Sequence, residues 1–475
     1  MLMETALADD RGEIHVLELT GTITPSEEGT YIKIPFTVPS STGALEIEFE
    51  YEGRRIHSEI EIGLFDPNGF RGTSRFSKSR FYLSRHRTTP SYFPGPVEPG
   101  EWHVSLGFPT IRQESAYRVK ITMIPKSHPV YTGPDSESLQ DSLKWYKGDF
   151  HTHTGHSDAF GCHDTRGLRS PCQVYQVAEA SHRNGLDFVS INDHNTVSHH
   201  QDIFTIQPTF PDLLLIRGQE VTTFFGHMNV IGTSEPVDFR IGYENYTVSD
   251  IQALSRDLGS LFVIAHPGRE TGPSCTGCGW SAENTNFDLV DAIEIVNGTN
   301  VETAIAGIPF WHERLNEGYR ITGIGGSDDH GAGFGRAQPG TPTTMVYAAS
   351  LSEKDLIDSV RKGRVYLKTR APEGPEIRFY ATMGDKRWEM GDEIRSKELT
   401  EKEIKFFIEY SHFEENEVEL IINGELVNHS LIDRNPSGHF ATKEFSHPAN
   451  ETGWIRFNLR DPEGITVISN PIYIR

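Results

Sequence analysis

Seven short apolar runs alternate with helical patterns between about residue 143 and residue 370, and this alternation restricts the fold more than any other feature. The runs have four to six residues, the length of a buried strand, and helical patterns lie near residues 171–184, 249–258, 301–317 and 352–362. Buried strands that alternate with helices pair in parallel, and seven such units predict an α/β fold with a (β/α)7 barrel. The runs are Trp145–Phe150, Leu186–Ile191, Leu213–Ile216, Leu261–Ala265, Ala292–Val296, Ile321–Ile324 and Thr344–Ala348.

The segments on both sides of this region have a different pattern. Apolar and polar residues alternate there in short runs such as Leu45–Tyr51 and Ile404–Tyr410, separated by turns that contain Pro or Gly. A period of two residues predicts half-buried strands of all-β domains. We therefore expect three domains, which are an N-terminal all-β sandwich (1–142), the barrel (143–372) and a C-terminal all-β sandwich (373–475).

The composition excludes some classes of partner. The chain has a formal net charge of −23 and no stripe of Lys or Arg, whereas non-specific binding to nucleic acid requires a cationic surface. The first thirty residues lack the pattern of a signal peptide, and no apolar run reaches membrane-spanning length. We expect a cytoplasmic protein that acts on a small molecule without binding nucleic acid or membrane. A homo-oligomer is compatible with the sequence and is not required by it.

Residues that bind metals follow most of the seven apolar runs. Side chains just past the C-terminal ends of parallel barrel strands converge on one site. A single His or carboxylate at such a place is most often structural, but five of the seven strand ends carry one, which predicts a shared multinuclear metal site. The residues are His151, His153 and Asp158 after the first run, Asp193 and His194 after the second, Glu220 after the third, His266 after the fourth, and Asp328 and His330 after the sixth.

The donor atoms of these side chains narrow the metals and the chemistry. Nitrogen and oxygen donors suit Zn, Mn or Fe. His151 and His153 project from the same face of a strand, so two imidazoles can reach one ion. Glu220 is the best candidate for a bridging ligand, because a carboxylate offers two oxygens. Two metals about 3.5–4 Å apart can share a hydroxide and activate it for attack, so no Ser or Cys nucleophile is required.

The order of these motifs resembles that of a known family. The motifs are His151-Thr152-His153 with Asp158, Asn192-Asp193-His194, Gly218-Gln219-Glu220, Ala265-His266-Pro267 and Ser327-Asp328-Asp329-His330. They resemble those of the PHP (polymerase and histidinol phosphatase) metallohydrolases. The N-terminal segments Gly63–Pro67 and Pro94–Val97 resemble the CehA/McbA-like branch of that family. The resemblance implies a distorted seven-stranded PHP barrel that holds two or three divalent metal ions.

The resemblance also implies roles for single residues. His151, His153, Glu220 and Asp328 would bind a first metal. Glu220 and His266, with His227 as an additional ligand, would bind a second. Asp158, His194 and His330 would bind a third metal, or shape the pocket if only two are bound.

The catalytic residues implied in this way are Glu220, His227 and Asp328, with His227 either a metal ligand or the acid that protonates the leaving group. Asp193, next to a ligand, is expected to support the site rather than to bind metal. Arg269 and Arg336 lie in loops beside the motifs. They are candidates for gripping a phosphoryl oxygen, and an ordinary surface position is the alternative for each.

Four cysteines lie in two loops on the expected active face. They are Cys162, Cys172, Cys275 and Cys278. The C-x2-C spacing of the second pair suits a zinc knuckle, and two converging pairs would complete a separate structural zinc site with four cysteine ligands. Two disulfides and free buried thiols are the alternatives, and the pattern does not choose between the three.

The function expected from these features is a metal-dependent hydrolase that cleaves a phosphoester, either a phosphodiester or a phosphomonoester, by attack of a metal-bridging hydroxide. The CehA/McbA-like resemblance implies an alternative, the hydrolysis of an aryl carboxylester or carbamate by the same metal centre. An alternative of another class is a non-catalytic binding module, in which the barrel only supports the sandwich domains.

Overall fold

A computed structural model describes residues 13–128, 133–273, 275–299, 305–370, 372–395, 397, 399, 401–411, 417–431 and 441–475. The fold is mixed α/β with many more strands than helices, which confirms the predicted class at that level. The chain divides into two compact units. One contains the described residues up to Gly133 together with His200–Thr205, and the other contains 134–199 and 206–475.

The first unit contains two antiparallel sheets of four strands each, in the order β1-β8-β3-β6 and β2-β7-β4-β5. The strands are β1 (His15–Ile23), β2 (Tyr31–Val38), β3 (Thr42–Tyr51), β4 (Ser58–Asp66), β5 (Gly69–Arg75), β6 (Arg80–Ser84), β7 (Gly100–Ile111) and β8 (Ser115–Pro125). The alternating pattern of the sequence buries one face of each sheet. The buried faces share one core that includes Leu45, Leu64 and Val104, as in a sandwich.

The second unit contains the remaining strands and most of the helical residues. Its strands are β9 (Lys144–Thr152), β10 (Cys162–His163), β11 (Arg169–Ser170), β12 (Phe188–Ile191), β13 (Leu214–Thr222), β14 (His227–Ile231), β15 (Leu261–Ala265), β16 (Ala292–Asn297), β17 (Thr322–Gly326), β18 (Thr343–Ala348), β19 (Val365–Lys368), β20 (Ile377–Met383), β21 (Lys386–Glu389), β22 (Glu393–Ile394), β23 (Glu403–Tyr410), β24 (Glu417–Ile422), β25 (Glu425–Leu431), β26 (Ala441–Pro448), β27 (Gly453–Asp461), β28 (Gly464–Ser469) and β29 (Ile472–Ile474). The α-helices of the described chain are α1 (Val174–Arg183), α2 (His200–Ile206), α3 (Val248–Asp257), α4 (Gly307–Asn316) and α5 (Glu353–Arg361).

Each of the seven apolar runs forms a strand of one large sheet. Along this sheet the strands follow the order β17-β16-β15-β14-β13-β12-β9-β18-β19-β28-β27-β24-β25. The ladders β9-β12-β13 and β15-β16-β17 are parallel, as expected. Strand β14 was not predicted, and it pairs antiparallel with both β13 and β15. Strand β18, formed by the seventh apolar run, also pairs antiparallel with β9, so the strict alternation of seven parallel strands with helices is not observed.

For β14, the physical reason lies in the length of one connection. Only residues 223–226 join β13 to β14. A return to a parallel neighbour requires a crossover of about a dozen residues or more, whereas a short loop joins antiparallel strands. This hairpin places the first residue of β14, His227, opposite Thr222 on one side and Ala265 on the other.

The ends of β9 and β17 lie side by side, although these strands are far apart in the order of the sheet. The Asp328 N–H donates to the carbonyl of His151 (2.8 Å), and the His153 N–H donates to the carbonyl of Asp329 (3.0 Å). These two hydrogen bonds bring together the polar ends of the first and sixth apolar runs.

The C-terminal strands continue the large sheet. Strand β28 pairs antiparallel with β19, so the sheet runs without a break across the expected boundary at residue 372. A second sheet, β21-β20-β23-β26, shares an apolar core with this extension. Among the described helices, none is both long and apolar enough to cross a membrane.

Candidate metal centre

Four side chains converge on one point, from the end of β9 and the residue after it, from β13 and from the loop after β17. The Nε2 atoms of His151 and His153 are 3.0 Å apart. Asp328 Oδ1 lies 3.1 Å from the nitrogen of His153 and 3.6 Å from that of His151. Glu220 Oε2 lies 3.5 Å and 3.6 Å from the Nε2 atoms of His151 and His153 respectively. We call this group the first position.

The geometry of the first position fits a metal ion. Ligand atoms about 2.1 Å from a tetrahedral ion are about 3.4 Å from one another, close to the separations found here. Glu220 Oε2 is buried and accepts no well-formed hydrogen bond from the described residues, although His194 Nδ1 lies 2.7 Å away. An unsatisfied buried carboxylate oxygen is costly unless a cation accompanies it. The residues therefore fit the divalent ions expected from the sequence.

The other oxygen of Glu220 defines a second position. Glu220 Oε1 lies 3.1 Å from His227 Nδ1 and 3.1 Å from His266 Nε2. Both histidines are buried. Since the two oxygens of one carboxylate face two sets of imidazoles, Glu220 has the arrangement of a bridging ligand. His227 thus lies among the candidate ligands, which was one of its two expected roles.

A third group lies on the more exposed side of His153. Asp158 Oδ1 is 3.4 Å from His194 Nε2 and 3.3 Å from His330 Nε2. The imidazole of His153 stacks on that of His194, and each of these residues offers an atom within 4.8 Å of the others. We call this group the third position. The Asp158 side chain is 60% exposed, so the third position is open to solvent while the first is not.

The local backbone is unusual where ligands follow strands. His266 and Asp328 have positive φ angles of 29° and 55°. Residues other than Gly rarely adopt this backbone conformation. Gly326 makes a close approach possible, because a Cβ at that position would overlap Glu294 Oε1 and the Cβ of His151. These features bring Asp328 and His151 together at the cost of local strain.

Glu294 is a residue that the sequence argument missed. It lies on β16, is buried, and its Oε1 is 3.1 Å from His151 Nδ1. Its Oε2 accepts hydrogen bonds from the His266 N–H (2.9 Å) and from Asn297 Nδ2 (2.8 Å). Such a carboxylate fixes the orientation and tautomer of a metal-binding histidine. Its signal was present, since Glu294 is a single charge in the middle of the apolar run Ala292–Val296.

The electrostatics of the first position follow from its buried charges. Burial by itself lowers the pKa of His151, but the carboxylates of Glu294, Glu220 and Asp328 hold it well above the usual value. Burial opposes ionisation of Glu220 and Asp328 as well, yet neighbouring histidines, His151 foremost, keep both pKa values well below the ordinary range. The cluster therefore requires a positive charge. A metal ion would replace the proton of His151, because a metal-binding imidazole is neutral.

The histidines around the third position differ in charge. Burial and the neighbouring imidazole of His330 lower the pKa of His153 to about 3, which favours its neutral form. Burial opposes protonation of His330 too, but its contacts with Asp158 and Asp328 raise its pKa to about 9. The contact with His330 in turn lowers the pKa of Asp158 to about 2. His330 and Asp158 thus form an ion pair near neutral pH.

The remaining predicted site residues lie at different distances from the cluster. Asp193 accepts from the Thr154 N–H (2.8 Å) and from its hydroxyl (2.6 Å), so it supports the loop after His153. Arg269 Nη1 is 3.0 Å from Asp328 Oδ2, and its side chain is 38% exposed. Arg336 is exposed, and its carbonyl accepts from the Thr299 hydroxyl (3.2 Å). Within the described residues, only Arg269 of the two arginines contacts a ligand candidate.

The cysteines form two disulfides, Cys162–Cys172 and Cys275–Cys278. Of the three alternatives left open by the sequence, the structure has the disulfides and not a zinc site with four cysteine ligands, because a sulfur in a disulfide is not a thiolate ligand. The first disulfide connects residues of the loop after His153. The second lies beside the second position, where Cys278 Sγ groups with His227 and His266.

Comparisons with known proteins add little to this geometry. No family model matches the chain, and no curated protein matches it. One similar solved structure is a mutant of Xylanase10C from Cellvibrio japonicus in complex with xylopentaose, which is 9% identical with a TM-score of 0.15. The match covers 58% of this chain and spans about half, 51%, of that chain. A likeness at this level carries no argument about fold or function.

Proposed function

We propose that this protein is a metal-dependent hydrolase that cleaves a phosphoester, a phosphodiester or a phosphomonoester, at the Glu220 centre. One observation carries the proposal: a buried carboxylate presents Oε2 to His151 and His153 and Oε1 to His227 and His266. Two divalent ions bound on either side of a shared carboxylate would act as Lewis acids and supply an activated hydroxide at neutral pH.

We also propose that the parallel ladders belong to a distorted seven-stranded PHP barrel of the CehA/McbA-like type. The hydrogen bonds between the ends of β9 and β17 support closure of the strand order. The order of the motifs along the chain supports the PHP assignment, with His151 and His153 after the first apolar run and Asp328 after the sixth.

The residues around the centre have different roles in the proposed reaction. His151 is held by Glu294, so its Nδ1–H donates to a carboxylate and its Nε2 faces the first position. Arg269 contacts Asp328 and remains partly exposed, which allows its planar guanidinium to bind an oxygen of the transferred group. With two ions bound, His330 stands at the open side, where it can hold a second substrate oxygen or donate a proton to the leaving group.

A phosphoester is favoured because the partly exposed guanidinium of Arg269 stands at the edge of a cluster of carboxylates. A phosphoryl group develops charge on several oxygens at once, and fixed positive groups stabilise it. We propose that the substrate is a small molecule. The reason is that the centre reaches solvent at the third position, where the side chains of Asp158 and His330 are partly exposed.

Exposed aromatic side chains favour a second candidate, the hydrolysis of an aryl carboxylester or carbamate. Phe160, Phe224, Phe225 and Phe334 lie in the loops that carry Asp158, His227 and His330, and their exposure ranges from 42% to 78%. Exposed aromatic rings beside a polar centre suit an aryl leaving group. The same centre would then act on a carbonyl instead of a phosphoryl group.

The test uses protein stripped with a chelator and reloaded with Zn, Mn or Fe. Metal content per chain is measured together with activity on an aryl phosphodiester, an aryl phosphomonoester and an aryl carboxylester. We expect at least two ions per chain and highest activity on a phosphoester. Higher activity on the carboxylester would select the second candidate. A metal content below two ions per chain, or full activity of the His151→Ala variant, would refute the proposal of a catalytic metal centre. Either result would favour the non-catalytic binding module.

A further inference from the structure

The loop Cys275-Thr276-Gly277-Cys278 packs directly against the second position. The carbonyl of Thr276 accepts a hydrogen bond from His227 Nε2 (2.9 Å). Because that nitrogen carries the proton, the Nδ1 lone pair of His227 faces Glu220 Oε1. The C-x2-C loop therefore sets the tautomer of a candidate ligand.

The position of the loop is closely defined. Gly277 has a positive φ of 75°, and a Cβ there would overlap the carbonyl oxygen of Thr223. Only Gly meets both requirements without strain. The loop therefore packs tightly against the β13–β14 connection. This packing holds Cys278, the residue after Gly277, next to the second position.

Cys278 completes a group of three candidate ligands. Its Sγ lies with one nitrogen of His227 and one of His266 in a group whose atoms are all within 4.8 Å of one another. Cys278 is fully buried. Independently, His266 Nδ1 is buried and has no hydrogen-bond partner among the described residues. A histidine with one unpartnered ring nitrogen and a sulfur therefore lie side by side.

The other sulfur of the pair is more accessible. Cys275 is half-buried whereas Cys278 is buried. Thiol–disulfide exchange proceeds by attack on one sulfur, and access to that sulfur controls the rate. An external thiolate can therefore attack Cys275 and release Cys278 as the leaving thiolate inside the site.

We propose that the Cys275–Cys278 disulfide is a redox-controlled ligand of the second position, an inference that rests on the proposed function. A dithiol reductant transfers two electrons and two protons to the disulfide and leaves as its own disulfide. Cys278 leaves as the thiolate, its share of the released protons goes to solvent, and the thiolate binds the divalent ion beside His227 and His266.

An added protein ligand fills a coordination position that a catalytic site keeps open for water or substrate. Reduction therefore strengthens metal retention at the second position, favours Zn over Mn because of the soft sulfur donor, and lowers the hydrolytic rate. Oxidation removes the thiolate and reopens the coordination position for substrate.

The test uses the full chain loaded with Co(II), whose thiolate complexes absorb in the near ultraviolet by charge transfer. The band is expected in the reduced wild type and in Cys275→Ser, which frees Cys278 permanently. It should be absent from the oxidised wild type and from Cys278→Ser. The double variant Cys162→Ser/Cys172→Ser removes the other disulfide and should retain the redox response.

A second readout is the rate at which a chelator removes cobalt. Loss of even an outer partner of a metal ligand costs about 10-fold or more in affinity, so reduced Cys278→Ser should lose one ion at least about tenfold faster than the reduced wild type. Binding of cobalt with no charge-transfer band in any form would overturn this inference alone. Failure of every form to bind cobalt would overturn the proposed function itself.

Discussion

Replacing Glu294 by Gln tests whether the first position is a metal site that a buried carboxylate organises. Three donors converge on Glu294: His151 Nδ1 at 3.1 Å, the His266 N–H at 2.9 Å and Asn297 Nδ2 at 2.8 Å. A carboxylate accepts all of them, because both of its oxygens are acceptors. The Gln amide presents one NH2 group, so at least one of these buried donors would face another donor.

The expected effect of Glu294→Gln can be stated as a loss of hydrogen-bond free energy and as a loss of metal affinity. A hydrogen bond to a charged group contributes about 1.5–3 kcal/mol, and removal of the outer partner of a metal-binding histidine costs about 10–100-fold in metal affinity. We expect Glu294→Gln to weaken binding at the first position by this factor. The measurement is a titration of stripped protein with Zn in competition with a chromophoric chelator, together with thermal unfolding.

A matched control separates metal binding from general destabilisation. Glu419 is also a buried carboxylate on a strand, and it accepts from Asn458 Nδ2 (2.8 Å) in the C-terminal region. Glu419→Gln should lower the unfolding temperature without changing the affinity for metal. A folded Glu294→Gln protein that binds Zn as tightly as the wild type would refute the reasoning.

Three further perturbations address other parts of the molecule. Asp158→Asn, at the exposed third position, should reduce the metal content by at most one ion per chain; loss of every ion by elemental analysis would contradict the separation of the three positions. Gly326→Ala should overpack the first position and cost about 1–3 kcal/mol of stability by urea unfolding, whereas Gly335→Ala, with open space around its Cβ, should be neutral; equal effects would show that the close approach does not matter. Burial and the nearby Arg456 lower the pKa of His312 to about 3. Below its unfolded pKa of about 6.5 the unfolded chain therefore binds a proton that the folded protein does not, and the free energy of unfolding should fall by up to about 1.4 kcal/mol per pH unit as the pH decreases from about 6.5 towards about 3. Urea unfolding at about pH 7.5 and about pH 5.5 should show a smaller pH dependence in His312→Gln than in the wild type; an identical dependence would remove His312 as its source.

The strands of the second unit were predictable because their apolar runs are short and continuous. All seven became strands, and the predicted helices near 171–184, 249–258 and 352–362 appear as α1, α3 and α5. Part of the expected helix at 301–317 lies outside the described residues, and α4 occupies the rest. Helix α2 was missed.

Strand β14 shows why the barrel pattern could not be completed from the sequence. Its residues are His227-Met228-Asn229-Val230-Ile231, and all five are buried. Two polar residues in a five-residue strand hide the apolar run that a buried strand normally shows. One of these polar residues also has a role in the site, because His227 faces the candidate centre from the start of the strand.

The ligand candidates other than His227 were predictable as a set, since each follows an apolar run. The contacts that hold these ligands in place were harder to predict from the sequence. Glu294 was hidden inside a strand, and its role depends on a neighbour across the sheet. The pairing of the cysteines depends on loop positions, which no spacing rule determines. Arg269 and Arg336 looked alike in sequence, yet only Arg269 contacts a cluster residue among those described.

The position of Glu220 within the sheet explains how one side chain faces two groups of ligands. Its strand, β13, lies between β12 and β14. His194 follows β12 and forms a bridge with Glu220, while His227 begins β14 on the opposite side. One carboxylate oxygen therefore faces each neighbour. Because β14 is antiparallel, its first residue rather than its last reaches this edge of the sheet. The hairpin that departs from the expected parallel order is thus the element that creates the second position.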